Sequence, residues 1–284
     1  MTKPERLSRA LLDQHPLPPV VDGDKETKGR LLVIAGSREV PGAALLTATA
    51  AMRVGAGKLR IAIPEGIATQ IGIAMPEAMV VRLPSHDLDG IFAAKIVSED
   101  SAKVDAVVAG PGMAANNDCA RIAEALVGSG AALALDAAIL HNLEPPKNDR
   151  STTPILLPHR GELASLLDCG EEEIKRDPVG CGRRAAELYR SVVLVKGTTS
   201  HVVTAGGDCW TYEGGAPGLG VSGSGDVLAG IVGGLLARGA KPLNALLWAV
   251  WLHGEAGAGL GKKVGPIGFL AREIAGELPA LLPR

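Results

Sequence analysis

A glycine-rich turn ending on a hydroxyl and a carboxylate, Gly218-Leu219-Gly220-Val221-Ser222-Gly223-Ser224-Gly225-Asp226, runs straight into the apolar segment Val227 to Gly239. That segment has the length and composition of a helix. Helix N-termini expose unpaired N–H groups and the positive end of the macrodipole, and glycines let an anion come close to the backbone, so such a turn suits phosphate oxygens. Asp226 then has two readings. It can cap the helix, which is worth about 1 kcal/mol, or it can take a proton from a substrate hydroxyl while the turn holds a phosphoryl group. The residues alone leave both open.

Weaker signals lie elsewhere along the chain. Ile34-Ala35-Gly36-Ser37 followed by Pro41-Gly42-Ala43-Ala44 is a strand end, a loop and a helix entrance without bulky side chains. It can let a ligand lie against backbone or serve plain helix–sheet contact. Val108-Ala109-Gly110-Pro111-Gly112 is a second strand running into a glycine turn. Leu157-Pro158-His159-Arg160-Gly161-Glu162 ends another strand and opens a helix, which makes His159 either a ligand or a capping histidine. Lys196, at the end of Val192–Val195 and before Gly197, can meet phosphate as a point charge or sit in solvent. His15, His86, His141 and His201 have no partners at meaningful spacing, and His253 falls in an apolar helix where a core role is expected.

Two familiar phosphate motifs fail. Gly57-Lys58-Leu59 and Gly261-Lys262-Lys263 lack the Ser or Thr of a Walker A loop. Gly218, Gly220 and Gly223 match G-x-G-x-x-G, but no apolar strand precedes them and no ribose-binding acid follows, so the match is accidental.

The elements that would position these groups recur in a regular order. Short apolar runs at Leu31–Ala35, Lys58–Ile63, Ala78–Leu83, Ala106–Ala109, Leu133–Leu135, Ile155–Leu157 and Val192–Val195 predict buried strands. Between them, Ala43–Val54, Ile91–Glu99, Asp118–Val127, Glu162–Leu167 and Pro178–Tyr189 have helix length. Such alternation predicts right-handed βαβ crossovers and a mostly parallel sheet with helices on both faces, with ligands at the carboxyl ends of the strands. After Lys196, the runs His201–Thr204 and Cys209–Tyr212, separated by Gly206-Gly207-Asp208, predict an antiparallel finish. Helices at Asp226–Arg238, Pro242–Leu260 and Ile267–Leu278 close the chain, and Thr2–Asp24 is expected to be a peripheral arm on a single domain spanning residues 1–284.

Composition agrees and narrows the partners. The chain has 284 residues, 46% hydrophobic and 2% aromatic with 37 glycines, so the core must come from aliphatic side chains and close backbone approach. A formal net charge of −2 with no long basic run gives no footprint for nucleic acid or an anionic membrane. Cys119, Cys169, Cys181 and Cys209 are far apart and read as buried thiols in a reducing compartment. The first residues carry Lys3, Glu5, Arg6 and Arg9 without an apolar signal core, and the longest apolar run is too short to span a bilayer. A cytoplasmic location is expected.

Taken in order, Ala35-Gly36-Ser37, Pro41-Gly42-Ala43-Ala44, Arg53-Val54-Gly55-Ala56-Gly57, Gly110-Pro111-Gly112, Pro158-His159 with Gly161-Glu162, Val195-Lys196-Gly197, Gly223-Ser224-Gly225-Asp226-Val227-Leu228 and Leu252-His253-Gly254 resemble the ADP-dependent NAD(P)H-hydrate dehydratases, a branch of the ribokinase-like superfamily. The resemblance covers about Lys28 to Leu278. It implies a three-layer α/β sandwich with an antiparallel edge and a lyase that returns hydrated NADH or NADPH, the S epimer, to NADH or NADPH at the expense of ADP (or ATP) with Mg²⁺. It further implies Asp226 as the catalytic carboxylate, also touching substrate, and Ala43, Gly112 and His159 along the hydrated dinucleotide. Lys196, Gly197, Thr198, Thr199, Ser200, Ser224 and Gly225 would hold the adenine nucleotide, with no protein-held metal, in a homo-oligomer, a tetramer by family likeness. Two departures stand out: Ser224 replaces a usual Thr, and Leu157 and Arg160 interrupt a Thr-Pro-His-Pro-Gly-Glu run. The rival readings are a ribokinase-like kinase of a small alcohol, such as a thiazole or hydroxymethylpyrimidine, and a non-catalytic nucleotide sensor, which would not need Asp226.

Overall fold

The computed structural model describes residues 4–19, 27–84, 90–115, 117–147 and 152–283. Residues 2–3 and 20–24 of the expected arm lie outside them, as does His86. The strands are β1 (Glu5–Arg6), β2 (Arg30–Ile34), β3 (Lys58–Pro64), β4 (Ala78–Leu83), β5 (Ala106–Ala109), β6 (Ala132–Leu135), β7 (Ile155–Leu156), β8 (Val192–Val195), β9 (Ser200–Thr204) and β10 (Cys209–Tyr212). The helices are α1 (Arg9–Leu12), α2 (Gly42–Arg53), α3 (Ala68–Ala74), α4 (Gly90–Ser101), α5 (Asn117–Val127), α6 (Arg160–Leu166), α7 (Glu171–Arg176), α8 (Pro178–Tyr189), α9 (Ser224–Ala237), α10 (Pro242–Lys263) and α11 (Ala271–Leu281).

One sheet runs β1-β10-β9-β8-β7-β6-β5-β2-β3-β4. From β2 the chain winds outward through β3 and β4, then returns to lay β5 on the other side of β2 and continues through β6, β7 and β8, all parallel. The winding direction therefore reverses between β2 and β5, where α/β sheets open a crevice at the strand ends. β9 and β10 are antiparallel, as the hairpin signals predict.

Alternate residues of the buried strands face opposite layers. Leu31, Val33, Leu59 and Ile61 join α2, α9, α10 and α11, whereas Leu32, Ile34, Ala62 and Val81 join α4, α5 and α8. Strands covered on both faces need the continuous apolar runs seen in the sequence. Among the described residues, no helix is long and apolar enough to cross a membrane.

Several boundaries differ from expectation. The described part of the N-terminal arm docks: Glu5–Arg6 add β1 alongside β10, Leu12 is buried, and the Trp248 indole donates to the His15 carbonyl. A two-residue parallel pairing has no pattern that a sequence can show. The last helix begins at Ala271 rather than Ile267, because Gly268 takes φ +99° and Glu273 accepts from the Leu270 N–H, which sets the start. The short helices α3 and α7 were not expected. Cys119, Cys181 and Cys209 are buried, but Cys169 is only partly so.

The glycines of α9 set how close its neighbours come. A Cβ on Gly230 would lie 2.1 Å from the Thr47 carbonyl oxygen and 2.9 Å from the Ala50 Cβ of α2, and one on Gly233 would lie 2.0 Å from the Val108 side chain of β5. Both contacts are closer than any side chain permits. Gly230→Ala should therefore lose about 1–3 kcal/mol to overpacking, outweighing the helix-propensity gain of about 1 kcal/mol. Urea denaturation of the variant checks the sign; a more stable variant would show that α2 yields freely.

Candidate active site

The N-terminus of α9 carries the site. Gly223, with φ +87°, precedes it, and no side chain caps it. Asp226 lies within the first turn, so the capping reading of this carboxylate fails. Thr47 of α2 donates to the Asp226 carbonyl at 3.1 Å, fixing the turn against its neighbour. The carboxyl is pushed up to about 6, chiefly because burial disfavours its charged form; the nearby charge of Asp136 adds to this and Lys196 opposes it. A carboxylate tuned to that range can take and release a proton near neutral pH.

Lys196 leaves the end of β8 and places its Nζ 2.6 Å from Asp136 Oδ1. The same Nζ stands 3.9 Å from where a Cβ on Gly225 would be, so the ammonium overlooks the mouth of α9. The sequence reading missed Asp136, which follows β6 and is buried. The available signal was a lone acid closing an apolar strand on the ligand-bearing edge. His253 was also misjudged: its Nε2 lies 3.0 Å from the Ser224 Oγ and 3.1 Å from the Ser224 carbonyl oxygen. The carbonyl can only accept, so the ring proton belongs on Nε2, and burial pushes the imidazole down to about 4, leaving it neutral. His253 therefore holds the first residue of α9 rather than filling core.

A pocket of about 380 Å³ opens beside this mouth. Lys196, Gly197, Thr198, Ser200, Ser224 and Gly225 line it at the polar end; Thr199, expected with them, does not. Leu194, Leu228 and Val250 give it an apolar side suited to a flat base. Tyr212, also in the wall, donates to Glu255 at 2.9 Å, and burial raises its phenol.

Ala43 and Gly112 meet elsewhere, at the reversal between β2 and β5. Gly36 N–H donates to the Pro111 carbonyl at 2.7 Å, and a Cβ on Gly112 (φ +63°) would stand 2.3 Å from the Ala43 Cβ. Only glycine fits there. His159 is the N-cap of α6: its Nδ1 accepts from the Gly161 and Glu162 N–H groups at 3.0 and 3.3 Å, and the Glu162 carboxylate accepts from its own N–H at 2.8 Å. The capping alternative is thus present in the structure, with the imidazole 62% exposed. His159 does not line the α9 pocket.

The raised Asp226 predicts a pH effect on stability. Its folded pKa exceeds the unfolded one, so the folded state holds more protons between about pH 4 and 6 and loses stability as pH rises through that window. Asp226→Asn should melt higher than the parent at pH 8, and the difference should fade as pH falls towards 4. Equal melting temperatures at pH 8 would mean that the carboxylate is solvated.

Sheet order and the helices on both faces together define a ribokinase-like α/β fold. The fold matches that of a ribokinase-like superfamily protein from Enterococcus faecalis V583 with TM-score 0.81 at 24% identity, covering 98% of this chain and 94% of that one. The profile of the NAD(P)H-hydrate dehydratases matches residues 31–280, so the chain belongs to the NAD(P)H-hydrate dehydratase family. It is 41% identical to an ADP-dependent (S)-NAD(P)H-hydrate dehydratase of Xanthomonas campestris pv. campestris, over 98% of this chain and 96% of that protein. A crystal structure of the ADP/ATP-dependent NAD(P)H-hydrate dehydratase from Bacillus subtilis, co-crystallised with ATP and Mg²⁺, superposes with TM-score 0.86 at 27% identity, covering 99% and 98% of the two chains.

Proposed function

We propose that this protein removes water from the S epimer of hydrated NADH and NADPH, driven by ADP, with Asp226 as the base. The observation that carries the reading is Asp226 itself: a part-buried carboxyl pushed up to about 6 beside an uncapped helix N-terminus, with a lysine overlooking that terminus. Hydroxide is a poor leaving group, and phosphorylation makes it a good one. Asp226 takes the hydroxyl proton as the substrate oxygen attacks the terminal phosphorus of ADP. The bond from that phosphorus to the bridging oxygen breaks, and AMP departs. Phosphate then leaves with the C–O bond pair while the ring nitrogen donates its lone pair, and loss of a proton from the neighbouring carbon restores the dihydronicotinamide. Net, hydrated dinucleotide and ADP give NAD(P)H, AMP and phosphate.

Ser224, Gly225 and Lys196 face the transferred phosphoryl group, where N–H donors and a fixed cation stabilise developing charge. Gly197, Thr198 and Ser200, which line the same pocket, accompany the rest of the nucleotide. The dinucleotide lies along Ala43 and Gly112 in the reversal crevice, with His159 at its edge. Among the described residues, no three His, Cys, Asp or Glu side chains gather as a metal cage. Mg²⁺ would come with the nucleotide, and the charge neutralisation it supplies would add to that of Lys196. A homotetramer, by the family resemblance, and a cytoplasmic location, suited to four free cysteines, complete the proposal.

Recovery of the dihydronicotinamide absorbance from hydrated NADH, with ADP or ATP, tests the reading directly. Asp226→Asn should cut turnover by about 10²–10⁴, and retention of most turnover would remove Asp226 as the base. For His159→Ala, loss of the cap should cost about 0.5–2 kcal/mol of stability, and KM for the hydrated dinucleotide should rise while KM for ADP holds. A lower melting point with both constants unchanged would confine His159 to its cap.

A further inference from the structure

Lys196 is the cation of the α9 mouth, yet it is already paired. Its Nζ lies 2.6 Å from Asp136 Oδ1, and that oxygen also accepts from the Ala137 N–H at 2.9 Å. The carboxylate cannot turn away easily, being 5% exposed, while the lysine side chain is 21% exposed. Ala137 takes φ +48°, a left-handed conformation that costs an alanine energy and persists only where surroundings enforce it. The chain thus accepts strain at the second residue after β6, whose N–H helps to anchor this carboxylate. A buried ion pair contributes little to stability by itself, so the arrangement calls for another explanation.

Two carboxylates and one ammonium meet here. Asp136 approaches from the end of β6, Lys196 from the end of β8 and Asp226 from α9, with His253 of α10 beneath them, near enough for Lys196 to help keep it uncharged. A lysine on a flexible stem would pair with whichever carboxylate held it better. Were that Asp226, base and cation would cancel each other before any substrate arrived.

We propose that Asp136 is a positioning residue that holds the Lys196 ammonium over the N-terminus of α9, facing the nucleotide phosphates, and away from the Asp226 carboxylate. The inference rests on the reading of Asp226 as the base. The charge of Asp136 pushes the Asp226 carboxyl up and that of Lys196 pulls it down, so the pair acts on Asp226 with opposed signs. Removing either partner should leave the other's influence exposed.

The acid limb of the pH dependence of kcat/KM is the readout, because it follows protonation of the base in the free enzyme. In Asp136→Asn, whose amide oxygen can still accept from Ala137, Lys196 is released toward Asp226 and the limb should move to lower pH by about 1–2 units. In Lys196→Met, Asp136 acts alone and the limb should move to higher pH. Asp136→Glu, which keeps the charge, should leave the limb near that of the parent. Opposite shifts support the proposal. A limb that stays in place in both Lys196→Met and Asp136→Asn, or in Lys196→Met alone should Asp136→Asn fail to fold, overturns it. Asp226→Asn separates this failure from failure of the underlying reading: if the limb survives there, Asp226 is not the titrating base. If the limb vanishes in Asp226→Asn yet is fixed in the other variants, only the role of Asp136 is wrong.

Discussion

Everything in the site is referred to the position of α9, and that position is set by side chains that are missing. Gly230 brings the helix against the Thr47 carbonyl and Ala50 of α2, and Gly233 brings it against Val108 of β5, at separations that exclude even a methyl group. Close-packed interiors yield little, so a helix wedged between a second helix and a sheet has almost no freedom to slide or turn. Thr47 then adds a hydrogen bond from α2 to the Asp226 carbonyl, at the N-terminal end of the same helix. Glycine is a poor helix former, costing about 1 kcal/mol relative to alanine. This cost is offset by burial of almost every other residue of α9.

Fixing α9 fixes an electrostatic problem with it. An uncapped N-terminus leaves N–H groups pointing at solvent or ligand, and the positive end of the dipole favours anions. A carboxylate in the first turn would ordinarily be stabilised as the anion there. Asp226 nonetheless ends up raised, because burial and the neighbouring Asp136 outweigh Lys196. The result is a carboxylate that can bind a proton near pH 6 while the mouth keeps its attraction for phosphate. Neither half alone would do: an exposed aspartate would be too weak a base, and an uncharged mouth would hold no phosphoryl group.

How much of this the sequence disclosed follows from which signals are local. Buried parallel strands announce themselves as unbroken apolar runs, and a glycine turn with an acid at the head of an apolar helix is contiguous, so the sheet and Asp226 were legible. Asp136 was not, because one acid after a strand looks the same whether it ends the strand in solvent or enters a buried ion pair. Only the sheet order, which places a single strand, β7, between β6 and β8, brings it to Lys196. His253 was assigned to the core for a similar reason: the run before it, Ala245 to Leu252, is apolar, and the polar partner lies 29 residues earlier in the chain. His159 shows the converse, since both the cap and the strand-end ligand reading were visible locally, and the structure supplies the cap.

The two regions of small residues have different physical characters. The pocket beside α9 is open and partly apolar, with its polar groups gathered at the Lys196 and Gly225 end. Between β2 and β5, Gly36 and Gly112 bring the two turns close together, with the Ala43 methyl against Gly112. A mobile nucleotide with a flat base and a charged tail suits the first, whose polar groups need only sort the two ends. In the second, contact is so close that only glycine fits at position 112, which sets how α2 enters beside the turn after β5. Asp226 stands on the helix whose mouth opens into the pocket and whose flank rests on α2, the helix that begins at the crevice. For the proposed phosphoryl transfer, a carboxylate tied to both structures is the placement required, since an error of about 1 Å in either can cost roughly 10²-fold in rate.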